Sequence, residues 1–228
     1  MRVVRVLFGA LLGFLLLGIL WFGAMLQPPE DLSRRAAIWA AGAAGDGGPA
    51  AAERIPCPVL TKLRFFVVCT DDCETIWRIV GVWGLQPQVL ADLGRIPPEQ
   101  PGVARRRINT AVAREGLNLK DAGAREMIGC YMRLDGLDPS LILPTGGRAG
   151  VASARGSDRA MLDLENRLKH PAALSRLEVN ESEGEFETRF EYWDTSSPGW
   201  PVVGITVRVA GDGRLLAAER RVLDPADQ

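Results

Sequence analysis

The chain has 228 residues, 27 basic against 28 acidic side chains, and one histidine. That length suits one medium domain or two small ones. The near-neutral balance builds no basic stripe of the kind nucleic acid demands, so a nucleic-acid partner is excluded from the reading.

Arg2 and Arg5 precede an uncharged, mostly apolar run over residues 6–26, which is 21 residues long. At about 1.5 Å per residue this matches a hydrocarbon core of roughly 30 Å. The run is longer than a signal-peptide core, and the cleavage site after Ala24 would put bulky Phe22 at −3, which favours an uncleaved transmembrane helix. Trp21 and Phe22 fall near its far end, where aromatic rings prefer the headgroup layer. The two arginines favour an inside N-terminus, so the mass of the chain is expected on the far side. Gly9 and Gly13 form a GxxxG pattern that would let two anchors pack as a homodimer, although glycine is common in membrane helices anyway. Of the basic residues 24 are Arg and three are Lys. With abundant Ala, Gly and Pro this suits a GC-rich bacterial genome, hence an inner-membrane anchor with a periplasmic domain.

Residues 27–55 read as a flexible tether, because the Ala, Gly and Pro of 36–52 show no sustained apolar period. Residues 60–68 are the first predicted strand, dense in Phe65, Phe66, Val67 and Val68. A helix is predicted from Asp72, because Ile76, Ile79, Val80 and Trp83 fall at i, i+3, i+4, i+7. Pro87 then opens a short helix to Leu93. Helices follow over 103–115, ended by Gly116, and over 119–134, with Met127, Cys130, Tyr131 and Leu134 on its core face. These elements make 56–142 a mainly helical subdomain. The small-residue stretch 143–157 reads as a linker. In 158–224 a helix over 158–169 leads into a three-stranded antiparallel meander: 184–193 alternating with period two, 201–210, and 214–223 after the Gly211-Asp212-Gly213 turn. The fold class is therefore α+β.

Four cysteines, Cys57, Cys69, Cys73 and Cys130, all follow the apolar run. In an oxidising compartment an even count points to disulfides, and four cysteines admit three complete pairings. Residues 69–73 (CTDDC) carry a second possibility. A strand running into CxxxC at a helix start resembles the local outline of thioredoxin-like copper-handling proteins of the Sco type, over residues 63–83. The resemblance implies thiol redox chemistry or Cu(I) held by Cys69 and Cys73, with a distal histidine as third ligand. The one histidine, His170, sits at the end of a predicted helix, where a capping role is ordinary. Glu74 stands where a proline commonly follows the second cysteine.

Other clusters read as solvated surface. Glu181, Glu183, Glu185, Glu187 and Glu191 line one strand face opposite Phe186 and Phe190. Asp135 and Asp138 flank a turn, and Arg105, Arg106 and Arg107 point in three directions on a helix. Trp193 and Trp200 bracket the turn at 196–199 and are the first candidates for a contact surface, because indole rings anchor interfaces. The expectation is a non-catalytic binding or accessory subunit of an envelope complex, or a protein that neutralises an incoming effector. The alternative is a thiol oxidoreductase or copper carrier.

Overall fold

Strands with apolar residues on both faces need cover on both sides, and this requirement sets the layer order. The computed structural model describes residues 30–43, 49–70, 77–92, 101–144, 147–154, 157–168, 173–197 and 199–223. Among these residues five α-helices and two four-stranded antiparallel sheets make an α+β fold. In chain order they are α1 (Glu30–Ala43), β1 (Pro49–Ile55), β2 (Leu63–Thr70), β3 (Trp77–Trp83), β4 (Gln86–Asp92), α2 (Pro101–Ala113), α3 (Asp121–Leu134), α4 (Gly147–Ala154), α5 (Asp158–Leu168), β5 (Val179–Ser182), β6 (Glu185–Trp193), β7 (Val202–Ala210) and β8 (Leu215–Val222). Among the described residues no helix is long and apolar enough to cross a membrane. The predicted span over 6–26, with Gly9 and Gly13, lies outside them.

Sheet A runs β1-β2-β3-β4 and sheet B runs β5-β6-β7-β8. Leu63 and Phe65 of β2 and Ile79 of β3 face one side of sheet A, in the large core with α2 and α3. Phe66, Val68, Val80 and Val82 face the other side, where Ala37 and Ala41 of α1 pack on them. Two predictions therefore change. The helix expected from Asp72 has its first residues, 72–76, outside the described residues, and from Trp77 on it is strand β3, which pairs antiparallel with β2 in the register Cys69↔Trp77 to Leu63↔Trp83. A run buried on both faces satisfies a helical period as easily as a strand period, so periodicity could not separate them. The short helix expected after Pro87 is β4, joined to β3 by a two-residue turn in which Gly84 takes φ +59°. A bulge opposite Ile79 and Val80 turns both Leu90 and Ala91 toward the large core. The leucine then occupies the space above Gly81, where an added Cβ would lie 2.7 Å from Leu90 Cδ1.

The stretch expected to be a tether contains α1 and β1. Glu30 and Asp31 put negative charge in the first turn of α1, which suits the helix dipole. Ser33, Ala37 and Ala41, all fully buried, form an i, i+4, i+8 stripe of small residues that lets the helix lie close on sheet A. Arginines from three successive strands then fasten it. Arg54 donates to Glu30 Oε2 (2.8 Å), Arg64 to Ser33 Oγ (2.9 Å), and Arg78 to the last-turn carbonyl of Ala41 (2.7 Å). Arg78 is 7% exposed and also pairs with Asp92 (3.2 Å).

Helices α2, α3 and α5 and strands β6, β7 and β8 lie within two residues of their predicted bounds. Helix α3 closes on a left-handed Gly136 (φ +74°), with Leu137 N–H donating to Met132 O and Gly136 N–H to Arg133 O. Sheet B has four strands where three were expected. The extra strand β5 is short and almost wholly exposed, so it carries no apolar alternation to read. Its turn uses positive φ at both Glu183 (+54°) and Gly184 (+77°), the backbone of a type I′ hairpin. The predicted linker contains α4, whose Val151 and Ala154 join the same large core.

Replacing Arg78 with Leu should lower the stability of the full-length chain by about 3 kcal/mol, because Asp92 and the Ala41 carbonyl lose a buried cationic partner. Urea titration followed by far-UV circular dichroism would measure it. A midpoint shift equivalent to less than about 1 kcal/mol would mean that the arginine does not hold α1 in place.

Candidate functional site

The inner face of sheet A is covered by α2 and α3 except at its hairpin end, where a cavity of about 250 Å³ opens. Leu63, Gly81, Leu90 and Ala111 form its apolar part, and Trp83, Gln86, Pro87, Gln88 and Arg114 complete the lining. That volume takes one or two side chains rather than a large cofactor. The Lys62 ammonium stands 5.9 Å from the centroid of the Trp83 ring, a cation–π contact at the rim. Leu85, at the tip of the β3–β4 turn, is 58% exposed. The start of β2 is fixed beside the cavity by Glu115, just past α2. Its carboxylate accepts from the backbone N–H of Lys62 (2.7 Å), from that of Leu63, and from Thr61 Oγ1 (3.3 Å). The cavity thus combines an apolar slot, an aromatic wall and two cations. No local motif marks it, because its residues come from β2, the β3–β4 hairpin and α2.

A second polar cluster joins α2 and α3 to sheet B. Asn109 treats Leu215 as a neighbouring strand would, donating from Nδ2 to its carbonyl and accepting its N–H at Oδ1 (both 2.9 Å). Tyr131 OH lies 3.1 Å from Asn109 Oδ1 and donates to Gly213 O (3.0 Å). Burial raises the Tyr131 phenol well above its ordinary range, so it stays protonated and acts as a structural donor.

Among the predicted site residues, Cys57 and Cys130 form a disulfide across 73 positions, both side chains buried. Cys69, at the end of β2, is 4% exposed and disulfide-bonded as well. Cys73 and His170 lie outside the described residues. The first described residue after the CxxxC motif, Trp77, opens a strand antiparallel to β2. The helix that the Sco-type outline needs is therefore absent from the described residues after the motif. Among the described residues no group of three or more His, Cys, Asp and Glu is placed to hold a metal ion.

Trp193 is fully buried and presents no surface to a partner. It packs edge-to-face against half-buried Trp200, with centroids 6.2 Å apart. Trp200 has φ +50°, an uncommon conformation for a bulky residue. The loop between them is organised by Asp194. Its Oδ1 accepts from Ser196 Oγ (2.6 Å) and from the N–H groups of Ser196 and Ser197, and its Oδ2 accepts from Ser197 Oγ (2.8 Å). Burial works to raise this carboxyl, yet the serine hydrogen bonds outweigh it and hold the group below the usual carboxylate range. Asp138 similarly caps a short turn by accepting from Ser140 N–H (2.9 Å), the backbone role expected of it. Glu181, Glu185 and Arg189 are exposed on sheet B, and Arg105 and Arg106 on α2.

Compared with known proteins, the chain matches no family model, no curated protein and no solved structure.

Because the folded-state pKa of Asp194 is depressed, its stabilisation is present above the unfolded value of about 3.9 and is lost as pH falls through the folded value. Asp194→Asn should therefore cost about 1 kcal/mol at pH 7, and the gap to wild type should close toward pH 3. Urea titrations of both chains at pH 3, 5 and 7 test this. A gap independent of pH would show that the charge of Asp194 contributes nothing.

Proposed function

We propose that this chain is a membrane-anchored, non-catalytic accessory protein of the bacterial envelope, with its domain in the periplasm holding a segment of a protein partner or of an incoming effector. The observation that supports this reading best is the cavity at the hairpin end of sheet A. Trp83 and Pro87 at its wall and Leu85 beside it offer apolar contact, while Lys62 and Arg114 offer positive charge. An extended segment with an apolar side chain next to an acidic one fits that pattern. Strand β4 is a sheet edge, but Pro87 lacks an N–H to extend the ladder, so side chains carry the recognition. Half-buried Trp200 remains a second candidate contact.

The alternative reading, a thiol oxidoreductase or copper-handling protein, draws support from one specific observation. With Cys57 and Cys130 closed on each other, Cys69 and Cys73 are the two cysteines left to cycle together. Strand β3, which opens at Trp77 where the outline needs a helix, weighs against a low-pKa thiolate there, because a helix N-terminus is what would stabilise one.

A photoreactive amino acid at Leu85 should capture a discrete protein adduct in intact cells, and one at exposed Leu162 on α5 should not. Reversing Lys62 and Arg114 to Glu together should cut the Leu85 adduct by about tenfold, the effect of ~1.4 kcal/mol. Equal labelling at both positions, or none at Leu85, would sink the binding reading. Acid-quenched thiol trapping separates the alternative: a Cys69–Cys73 pair that stays fully oxidised through copper and thiol stress excludes cycling, and a partly reduced or copper-loaded pair establishes it.

A further inference from the structure

Among the described residues helix α1 is the outer layer on sheet A, and its far side exposes two large apolar side chains. The stripe Ser33, Ala37, Ala41 is fully buried against sheet A. On the opposite side, Leu32, Arg35 and Trp39 fall at i, i+3, i+7 and form one outward face. Leu32 is 44% exposed and Trp39 71% exposed. Arg34 is drawn aside to Glu30 (3.3 Å), whereas Arg35 stands exposed between the two apolar side chains, with Asp31 at the rim. Only Gln27, Pro28 and Pro29 separate this helix from the apolar run ending at Leu26. Four Cα steps reach at most about 14 Å, so the first turn of α1 is confined close to the end of that run.

We infer that the outward face of α1 lies on the bilayer surface, with Trp39 in the headgroup layer and Arg35 toward lipid phosphate. The inference rests on the reading that residues 6–26 span the membrane. An indole beside an arginine on an exposed helical face has the chemistry of an interfacial helix. The three-residue connection to the apolar run supplies the proximity that so small a patch needs, because its effective concentration at the surface is high. Docked this way, α1 sets sheet A above the membrane and leaves the sheet edge and hairpin end open at the side.

The test uses the full-length chain in vesicles of phosphatidylcholine and phosphatidylglycerol (3:1), with and without bromine-labelled acyl chains. Flotation first reports whether the chain is anchored. Bromolipid quenching of tryptophan emission is then compared between wild type and Trp39→Phe, a change at an exposed site that leaves the core intact. The expected result is that both chains float and the variant loses part of the quenched emission, leaving the share contributed by Trp21. If both float and the quenched emission is unchanged, the face is not on the bilayer, although the anchor stands. If neither floats, the anchor and the docking fall together. A change at Trp39 that follows protein concentration and ignores bromolipid assigns the face to a second copy of the chain and overturns the proposal.

Discussion

The fold depends on a single helix, α3, having no solvent-facing side between Met127 and Met132. From Met127 to Met132 every side chain is buried, and even Gly129 has no spare room, since an added Cβ would lie 2.6 Å from Leu174 Cδ1. Two consecutive residues on this helix serve the two sheets. Cys130 is bonded to Cys57, just after β1, and Tyr131 donates to Gly213 at the turn that opens β8. Neighbouring positions on a helix point about 100° apart, so one turn can hold both partners. The disulfide closes a loop of 73 positions, worth about 4 kcal/mol in the chain-entropy model. Gly213 takes φ +87° against Leu117 and Val112, so the turn cannot carry a side chain and still reach Tyr131.

The two sheets differ in what they leave open. Sheet A is covered on both faces, by α1 on one side and by α2 and α3 on the other. Sheet B is covered on one face, and its other face carries the pairs Arg189–Glu187 and Arg208–Glu185 in water. Pairs at that exposure contribute solubility more than stability. Exposed large apolar side chains lie at the hairpin end of sheet A (Leu85) and on the outward side of α1 (Leu32 and Trp39), as well as singly on α5 (Leu162) and on the edge strand β8 (Leu216 and Val222). The first two places have a physical source: the ends of a twisted sheet outrun the helix packed on it, and a terminal layer has only one neighbour. It also explains why Trp193, beside an exposed loop in the sequence, is core. The Asp194 loop folds back and Val202 packs with it in the large core.

Sequence legibility tracked the number of faces that each element buries. Strands β6 and β7 bury one face, so Phe186 and Thr188 alternate with charged Glu185, Glu187 and Arg189, and their bounds could be read directly. Helix α3 was legible because its large apolar residues Met127, Cys130, Tyr131 and Leu134 keep the helical spacing, although the residues between them are buried too, and the Gly211-Asp212-Gly213 turn because only special residues accept its backbone. Cys130 on the core face of α3 came from the same local signal. Strand β5 was invisible for the opposite reason, since it buries almost nothing.

What the sequence by itself determined is thus local: an apolar run long enough to span a bilayer, the α+β class, the elements with one wet face, and the placing of a buried cysteine. What only the tertiary structure decided is set by partners far away in the chain. Strand β3 is a strand because β2 and β4 flank it and helices cover both faces, and α1 is a layer because three arginines from separate strands reach it. Cys57 pairs with Cys130 because α3 crosses the end of β1, a choice that spacing leaves open among three pairings. The cavity beside Trp83 exists because α2 ends before the sheet does. Periodicity records the contrast between a wet face and a dry one; two-sided burial and long-range pairing leave no such contrast along the chain.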